Sequence, residues 1–174
     1  MKVLIVYFSY AGNNEILAKE IQKKLLCDTL QILDSNKRNG FTILLDILFD
    51  RKPSIQSYEK NIKTYDHIIF IAPIWASKIA SPLKSFLRLE KNNIPQYSFI
   101  TACSGYAGQK EKIAKDLIRL IEKQPTIVTE LWINDLLPAD QKNKIKYVTP
   151  YRLQPKDLVV FEAKIEKHIR AISN

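Results

Sequence analysis

Ser9, Gly12, Asn13 and Asn14 stand between an apolar run, Val3 to Phe8, and a segment with helical spacing at Leu17, Ile21 and Leu25. A hydroxyl, a glycine and two amides at a strand-to-helix junction are the materials of an anion site. The first backbone N–H groups of a helix have no intrahelical partner and lie at the positive end of its macrodipole. Gly12 lets the backbone approach a ligand closely, Ser9 offers a hydroxyl, and Asn13 and Asn14 offer amide donors while capping the helix. The chain has neither a G-x-G-x-x-G fingerprint nor a G-x-x-x-x-G-K-[ST] loop, so dinucleotides and nucleoside triphosphates lose support. A single phosphate monoester fits so short a loop. An ordinary βα turn uses the same residue types for turning and capping alone.

Two further loops follow apolar runs. The loop Pro73-Ile74-Trp75-Ala76-Ser77-Lys78-Ile79-Ala80-Ser81 places an indole among small residues at a strand end, where there is no depth left to bury it. Trp75 is therefore expected to lie flat over the site and to stack on a planar aromatic ligand; the alternative is that it folds back as peripheral core. Cys103-Ser104-Gly105-Tyr106-Ala107-Gly108-Gln109 carries two glycines that can turn main-chain amides toward a ligand edge, with Tyr106 as a second wall. A helix start needing flexible glycines explains the same letters. Cys103 has no nearby histidine in sequence and no evident activator, so no nucleophilic role is assigned to it.

The elements that must position these loops are legible as runs. His67 to Ala72, Ser98 to Ala102 and Thr126 to Ile133 are continuously apolar like Val3 to Phe8, with a weaker run at Thr29 to Leu33. Runs apolar on both faces belong to a parallel sheet covered on both sides. Helical faces recur at Leu83, Phe86 and Leu87, at Ile113, Leu117, Leu120 and Ile121, and at Leu158, Phe161, Ile165, Ile169 and Ile172. Ser81-Pro82 reads as an N-cap followed by proline at the first helical position, and Pro155 as the start of the last helix. Strands alternating with helices predict right-handed βαβ units in a three-layer α/β sandwich, with residues 1–174 forming one domain. Ligands of such sheets bind beyond the carboxyl ends of the strands, where strand order reverses. The three loops converge there.

Two segments fit less easily. Phe41 to Phe49 is apolar almost all round, so it is either deeply packed or part of a subunit interface, which would make the chain a homodimer. Residues 135–154 form a polar, proline-containing connection much longer than the usual 2 to 6 residues, as expected of a segment that covers something or carries local structure.

Composition narrows the classes. With 174 residues, 46% of them hydrophobic, the chain is long enough for a full core. No run of about 18 apolar residues exists and a strand begins at once, so neither a membrane span nor a signal peptide is expected. Two distant cysteines make no disulfide framework and no Cys/His cluster has metal-ligand spacing, which leaves a reducing cytoplasm as the default. The net charge of +9 is scattered, its densest stretches being Lys142 to Lys146 and Lys37-Arg38, so a nucleic-acid partner is not assigned.

Taken together, Ser9-Tyr10-Ala11-Gly12-Asn13-Asn14 resembles the Ser/Thr-x-Thr-Gly-Asn-Thr phosphate loop of the flavodoxins. Pro73-Ile74-Trp75 before Ser81-Pro82-Leu83-Lys84-Ser85-Phe86-Leu87 is similar to the flavin loop and next helix of short-chain flavodoxin-like proteins. The resemblance implies a five-stranded parallel sheet in the order 2-1-3-4-5 and one non-covalent FMN. It implies a phosphate on Ser9 and the amides from Ala11 to Asn14, and the ring system between the loops carrying Trp75 and Tyr106. Ala11 and Asn14 stand where that loop usually has Thr, and each absent hydroxyl is worth on the order of 1 to 3 kcal/mol toward a charged acceptor. Acidic flavodoxins serve as low-potential carriers. Here the three loops hold no Asp or Glu and have Lys78 and Lys110 in or beside them, which favours a less negative potential. The implied function is an FMN-dependent redox protein that passes electrons to a partner protein or reduces a small acceptor. A quinone reductase or protoporphyrinogen-oxidase relative, and a scaffold that has lost FMN, are the alternatives. A receiver domain would need acidic residues where this chain has Ser9 and Pro73.

Overall fold

The computed structural model describes residues 1–36 and 38–173, so Lys37 of the basic pair lies outside it. The main sheet contains β1 (Val3–Tyr7), β2 (Asp28–Gln31), β3 (His67–Ile71), β6 (Gln96–Cys103) and β7 (Val128–Trp132). A separate two-stranded hairpin, β4 (Ile74–Trp75) and β5 (Lys78–Ile79), interrupts the numbering. The order β2-β1-β3-β6-β7, parallel throughout, is the expected 2-1-3-4-5 pattern once the hairpin is set aside.

Alternation builds the two core layers. Leu4, Val6, Phe70 and Phe99 face α3 (Ser81–Glu90) and α4 (Gln109–Ile121), which return Leu83, Phe86, Ile113 and Leu117. Val3, Ile5, Ile69 and Ile100 face α1 (Asn13–Leu25) and α6 (Glu162–Ser173), which return Leu17, Ile21, Ile165 and Ile172. Both faces of β1 and β3 are buried, the physical reason these strands read as continuous apolar runs.

Three expectations change in detail. Ala80, not Ser81, is the N-cap of α3; the Ser81 hydroxyl instead donates to Asp46 Oδ2 at 2.6 Å. The last apolar repeat is divided between a 3-10 turn, Pro155–Phe161, and α6. The segment at Phe41 to Phe49 forms α2 (Gly40–Phe49), but it is not deeply packed: Phe41 and Phe49 are 67% and 70% exposed, and Asp46 is its one buried residue. The long connection contains a one-turn helix, α5 (Ile145–Val148).

A polar chain crosses the buried layer under α6. His67 Nε2 and His168 Nε2 each lie 3.0 Å from Ser98 Oγ, and His168 Nδ1 lies 2.9 Å from Thr129 Oγ1. Both histidines are fully buried, and burial lowers His67 to about 4 and, with a smaller contribution from His67, His168 to about 3. No helix among the described residues is long and apolar enough to cross a membrane.

Candidate functional site

The carboxyl ends of β1, β3 and β6 open into a cavity of about 450 Å³, within the range of small-molecule sites. From the first loop it is lined by Ser9, Tyr10, Ala11, Asn13 and Asn14, from the second by Pro73, Ile74, Trp75 and Ala76, and from the third by Ala102, Cys103 and Ser104. The three loops do converge. Gly12, Ser77, Gly105, Tyr106 and Gly108 are not part of the lining.

The first loop leaves its donors open. Gly12 is the N-cap of α1 at φ +90°, and no side chain caps the helix. A Cβ at Gly12 would meet nothing within 4 Å, so the glycine is required by backbone conformation and not by crowding in the protein. Ser9 Oγ is buried and has no hydrogen-bond partner. Such an orphan costs about 1–3 kcal/mol unless a ligand satisfies it.

The asparagines do not cap α1 as expected. Asn14 is buried and binds the backbone of Ala102 twice, its Nδ2 donating to the carbonyl at 3.2 Å and its Oδ1 accepting the N–H at 2.9 Å. Asn13 reaches across 138 residues: its Nδ2 donates to the Tyr151 carbonyl at 3.1 Å, and its Oδ1 accepts from the Leu153 N–H at 2.9 Å. Both side chains are therefore spent on holding the loop to β6 and to the long connection. What the loop retains for an anion is Ser9 and its main-chain amides.

Trp75 is partly buried against the core and also lines the cavity. Its ring meets Phe8 and Tyr10 edge to face at 5.9 and 6.1 Å, and has Arg38 Cζ 5.9 Å from its centroid. The expected loop around it is the β4–β5 hairpin, with Trp75 paired to Lys78. Its two turn residues, Ala76 and Ser77, have φ of +47° and +66°. Paired positive φ values are the type I′ pattern that Asn-Gly adopts without strain. Replacing Ala76-Ser77 by Asn-Gly is expected to raise stability by about 1–2 kcal/mol in urea unfolding.

In the third loop Tyr106 exchanges a hydrogen bond with Ser77, and Lys112 Nζ lies 5.5 Å over its ring, so it ties the loop to the hairpin and does not wall the cavity. Gly105 faces Trp132: a Cβ there would sit 2.1 Å from the indole, so the glycine makes room for a neighbour and not for a ligand. Gly108 is the N-cap of α4. Cys103 receives a hydrogen bond from Gln109, and burial together with the nearby Glu130 carboxylate pushes its thiol up to about 12. It stays a protonated thiol near neutral pH, in keeping with the absence of a nucleophilic role.

Sequence reasoning missed the rest of the lining. Ile43 and Ile47 come from α2, Ile133 from the turn after β7, and Val148, Thr149 and Arg152 from the long connection. Excess length was the one signal that residues 135–154 cover something. Among the described residues, Arg152 is the single charged side chain lining the cavity, and the lining holds no carboxylate and no histidine. Across the Ala76-Ser77 turn an open groove of about 400 Å³ carries Lys78, Lys112, Lys115 and Arg119, with Asp116 paired to Arg119 at 2.6 Å.

No protein-family model matches the sequence. No curated protein matches it significantly. Solved structures match the fold. A flavoprotein from Lactobacillus acidophilus, solved in complex with FMN, superposes with a TM-score of 0.66 at 19% identity over 74% of this chain and 92% of its own. A putative flavoprotein from Bacteroides eggerthii gives 0.66 at 16% identity over 95% and 98%. A WrbA-like flavodoxin from Agrobacterium tumefaciens gives 0.53 at 14% over 97% of each chain. With the sheet order above, these likenesses define a flavodoxin-like α/β fold.

Proposed function

We propose that this chain binds one FMN without a covalent link and works as a redox protein, passing electrons to a partner or to a small acceptor. The observation that carries the reading is the buried, partnerless Ser9 hydroxyl, placed in a cavity of about 450 Å³ beside the uncapped N-terminus of α1. That donor arrangement fits a phosphate monoester. FMN is also the group named in the complex of the Lactobacillus acidophilus flavoprotein, which shares the fold. Bound there, FMN would supply reversible one- or two-electron transfer.

The chain's own residues would position and insulate the group. Ser9 Oγ and the first amides of α1 would hold the phosphate. Trp75, Ile43 and Ile47 exclude water from the ring system, and Trp75 presents it an aromatic surface. The lack of an acid or base in the lining suits electron or hydride transfer, which asks for position more than for proton handling. Lys78, Lys112 and Lys115 adjoin the cavity across the hairpin turn, so positive charge favours the anionic reduced cofactor and an acceptor with negative charge at its contact surface.

Titrating the purified chain with FMN tests this. Flavin fluorescence should be quenched at micromolar concentration and yellow colour should survive desalting. A reductive titration should then give a two-electron midpoint less negative than that of the acidic carriers. Unquenched FMN at micromolar concentration would favour the scaffold that has lost its cofactor.

A further inference from the structure

We propose that Arg152 is the phosphate anchor that stands in for the hydroxyls absent from the first loop, so that the site selects phosphorylated over unphosphorylated flavin through a cation delivered by the β7–α6 connection. The inference rests on the reading of the cavity as an FMN site and assigns to it a residue outside the three loops. Three observations carry it.

The first is position. The residues on either side of Arg152 are both hydrogen-bonded to the side chain of Asn13, the first residue of α1, at 3.1 Å through the Tyr151 carbonyl and 2.9 Å through the Leu153 N–H. Leu153 is fully buried, and the Tyr151 hydroxyl donates to Asp157 at 3.1 Å. The backbone that carries the exposed Arg152 side chain is thus clamped at the N-terminus of α1, where an anion would sit, despite the 138 residues separating Asn13 from Tyr151.

The second is its lack of a counter-charge. Among the described residues no carboxylate pairs with Arg152; its Nη1 donates only to the carbonyls of Thr149 at 3.3 Å and Tyr151 at 3.2 Å. These bonds hold the guanidinium at the cavity while leaving its charge unneutralised. Among the described residues it is also the one charged group in the lining.

The third is deficit. The Ala11 side chain has no donor, and the side-chain amides of Asn13 and Asn14 are spent on the backbone of residues 102, 151 and 153. The geometry that occupies Asn13 is the same geometry that brings Arg152 in. A guanidinium presents several N–H donors in one plane, which suits a phosphate face better than a point charge does.

The test compares FMN with riboflavin by quenching of flavin fluorescence in the wild type, Arg152→Gln and Arg152→Lys, with far-UV circular dichroism to confirm the fold. In R152Q the dissociation constant for FMN should rise about tenfold or more while that for riboflavin stays within twofold, and R152K should fall between. Raising salt should weaken FMN binding in the wild type and do so less in R152Q. FMN affinity in R152Q within twofold of wild type overturns the inference alone. A parallel loss of riboflavin binding also overturns it, because the residue would then shape the cavity and not read the phosphate. A wild type that leaves FMN unquenched overturns the cofactor reading, and this inference with it.

Discussion

Taking the protein from pH 7 to pH 4 is expected to remove about 3 kcal/mol of stability through each of His67 and His168. Burial holds the two imidazoles at about 4 and about 3, below the ordinary 6.5, because neither can gain a charge without stranding it in the layer between sheet and α6. Above pH 6.5 neither state takes up a proton and stability is complete. Below it the unfolded chain binds protons that the native protein refuses, so stability falls steadily through the interval from 6.5 toward 4 and 3. The Ser98 hydroxyl has one proton for two imidazoles. The least costly arrangement has His67 Nε2–H donating to Ser98, Ser98 donating to His168 Nε2, and His168 Nδ1–H donating to Thr129. That leaves His67 Nδ1 as an unpaired acceptor, in agreement with its lack of a partner, and an unpaired acceptor is cheaper than an unpaired N–H. Urea midpoints measured at half-unit steps should decline with a slope approaching two protons by pH 5. His168→Leu should remove about half of that slope. A level midpoint between pH 6.5 and 4.5 would sink the account, since this interval lies above the lowered carboxylates Asp28, Asp50 and Glu166.

The same chain shows where sequence reading succeeds. β1 and β3 were readable because both their faces are buried, and the resulting apolar runs admit few other assignments, whereas the largely unburied β2 gave only a weak run. The site's location followed from topology: parallel strands with reversing order must bring the ends of β1, β3 and β6 together. Residue type sufficed for Gly12, whose positive φ at the start of α1 is a local matter.

Roles that depend on distant partners were not readable. Asn13 and Asn14 carry the types of a capping pair, yet each binds backbone that arrives from elsewhere, at residues 151 and 153 and at residue 102. Gly105 looks like loop freedom until Trp132 is seen against it. The hairpin around Trp75 hid because Ala76-Ser77 lacks the Asn-Gly signature of a type I′ turn and accepts positive φ regardless. α2 is apolar almost all round, which left deep packing and a subunit interface both open; only deep packing is removed, because its anchor, Asp46, is the one buried residue of the helix.

That anchor sets the second large effect, because replacing Arg38 by Met should cost about 3–5 kcal/mol while Asp46→Asn should cost less. The Arg38 guanidinium pairs with both Asp34 and Asp46, and all three side chains are nearly buried, at 8%, 11% and 6% exposure. Asp46 also accepts from Ser81 at 2.6 Å, so the cluster ties the segment after β2 to α2 and to the first turn of α3. Two carboxylates share one buried cation, with Arg51 Nε at 3.9 Å and half exposed as the nearest relief. Removing the cation leaves two anions unpaired in a place where neither is well hydrated, whereas D46N removes one charge and keeps an acceptor for Ser81. The asymmetry follows from charge count and not from contact area. It extends to the cavity, since α2 supplies Ile43 and Ile47 and Arg38 lies over the Trp75 ring. R38M should therefore shift both the urea midpoint and the near-ultraviolet circular dichroism of Trp75. In the double variant Arg38→Met with Asp46→Leu, stability should recover part of the loss because one of the stranded anions is gone. Equal costs for R38M and D46N, or a double variant no more stable than R38M alone, would mean that packing of α2 rather than the shared cation holds this wall of the site in place.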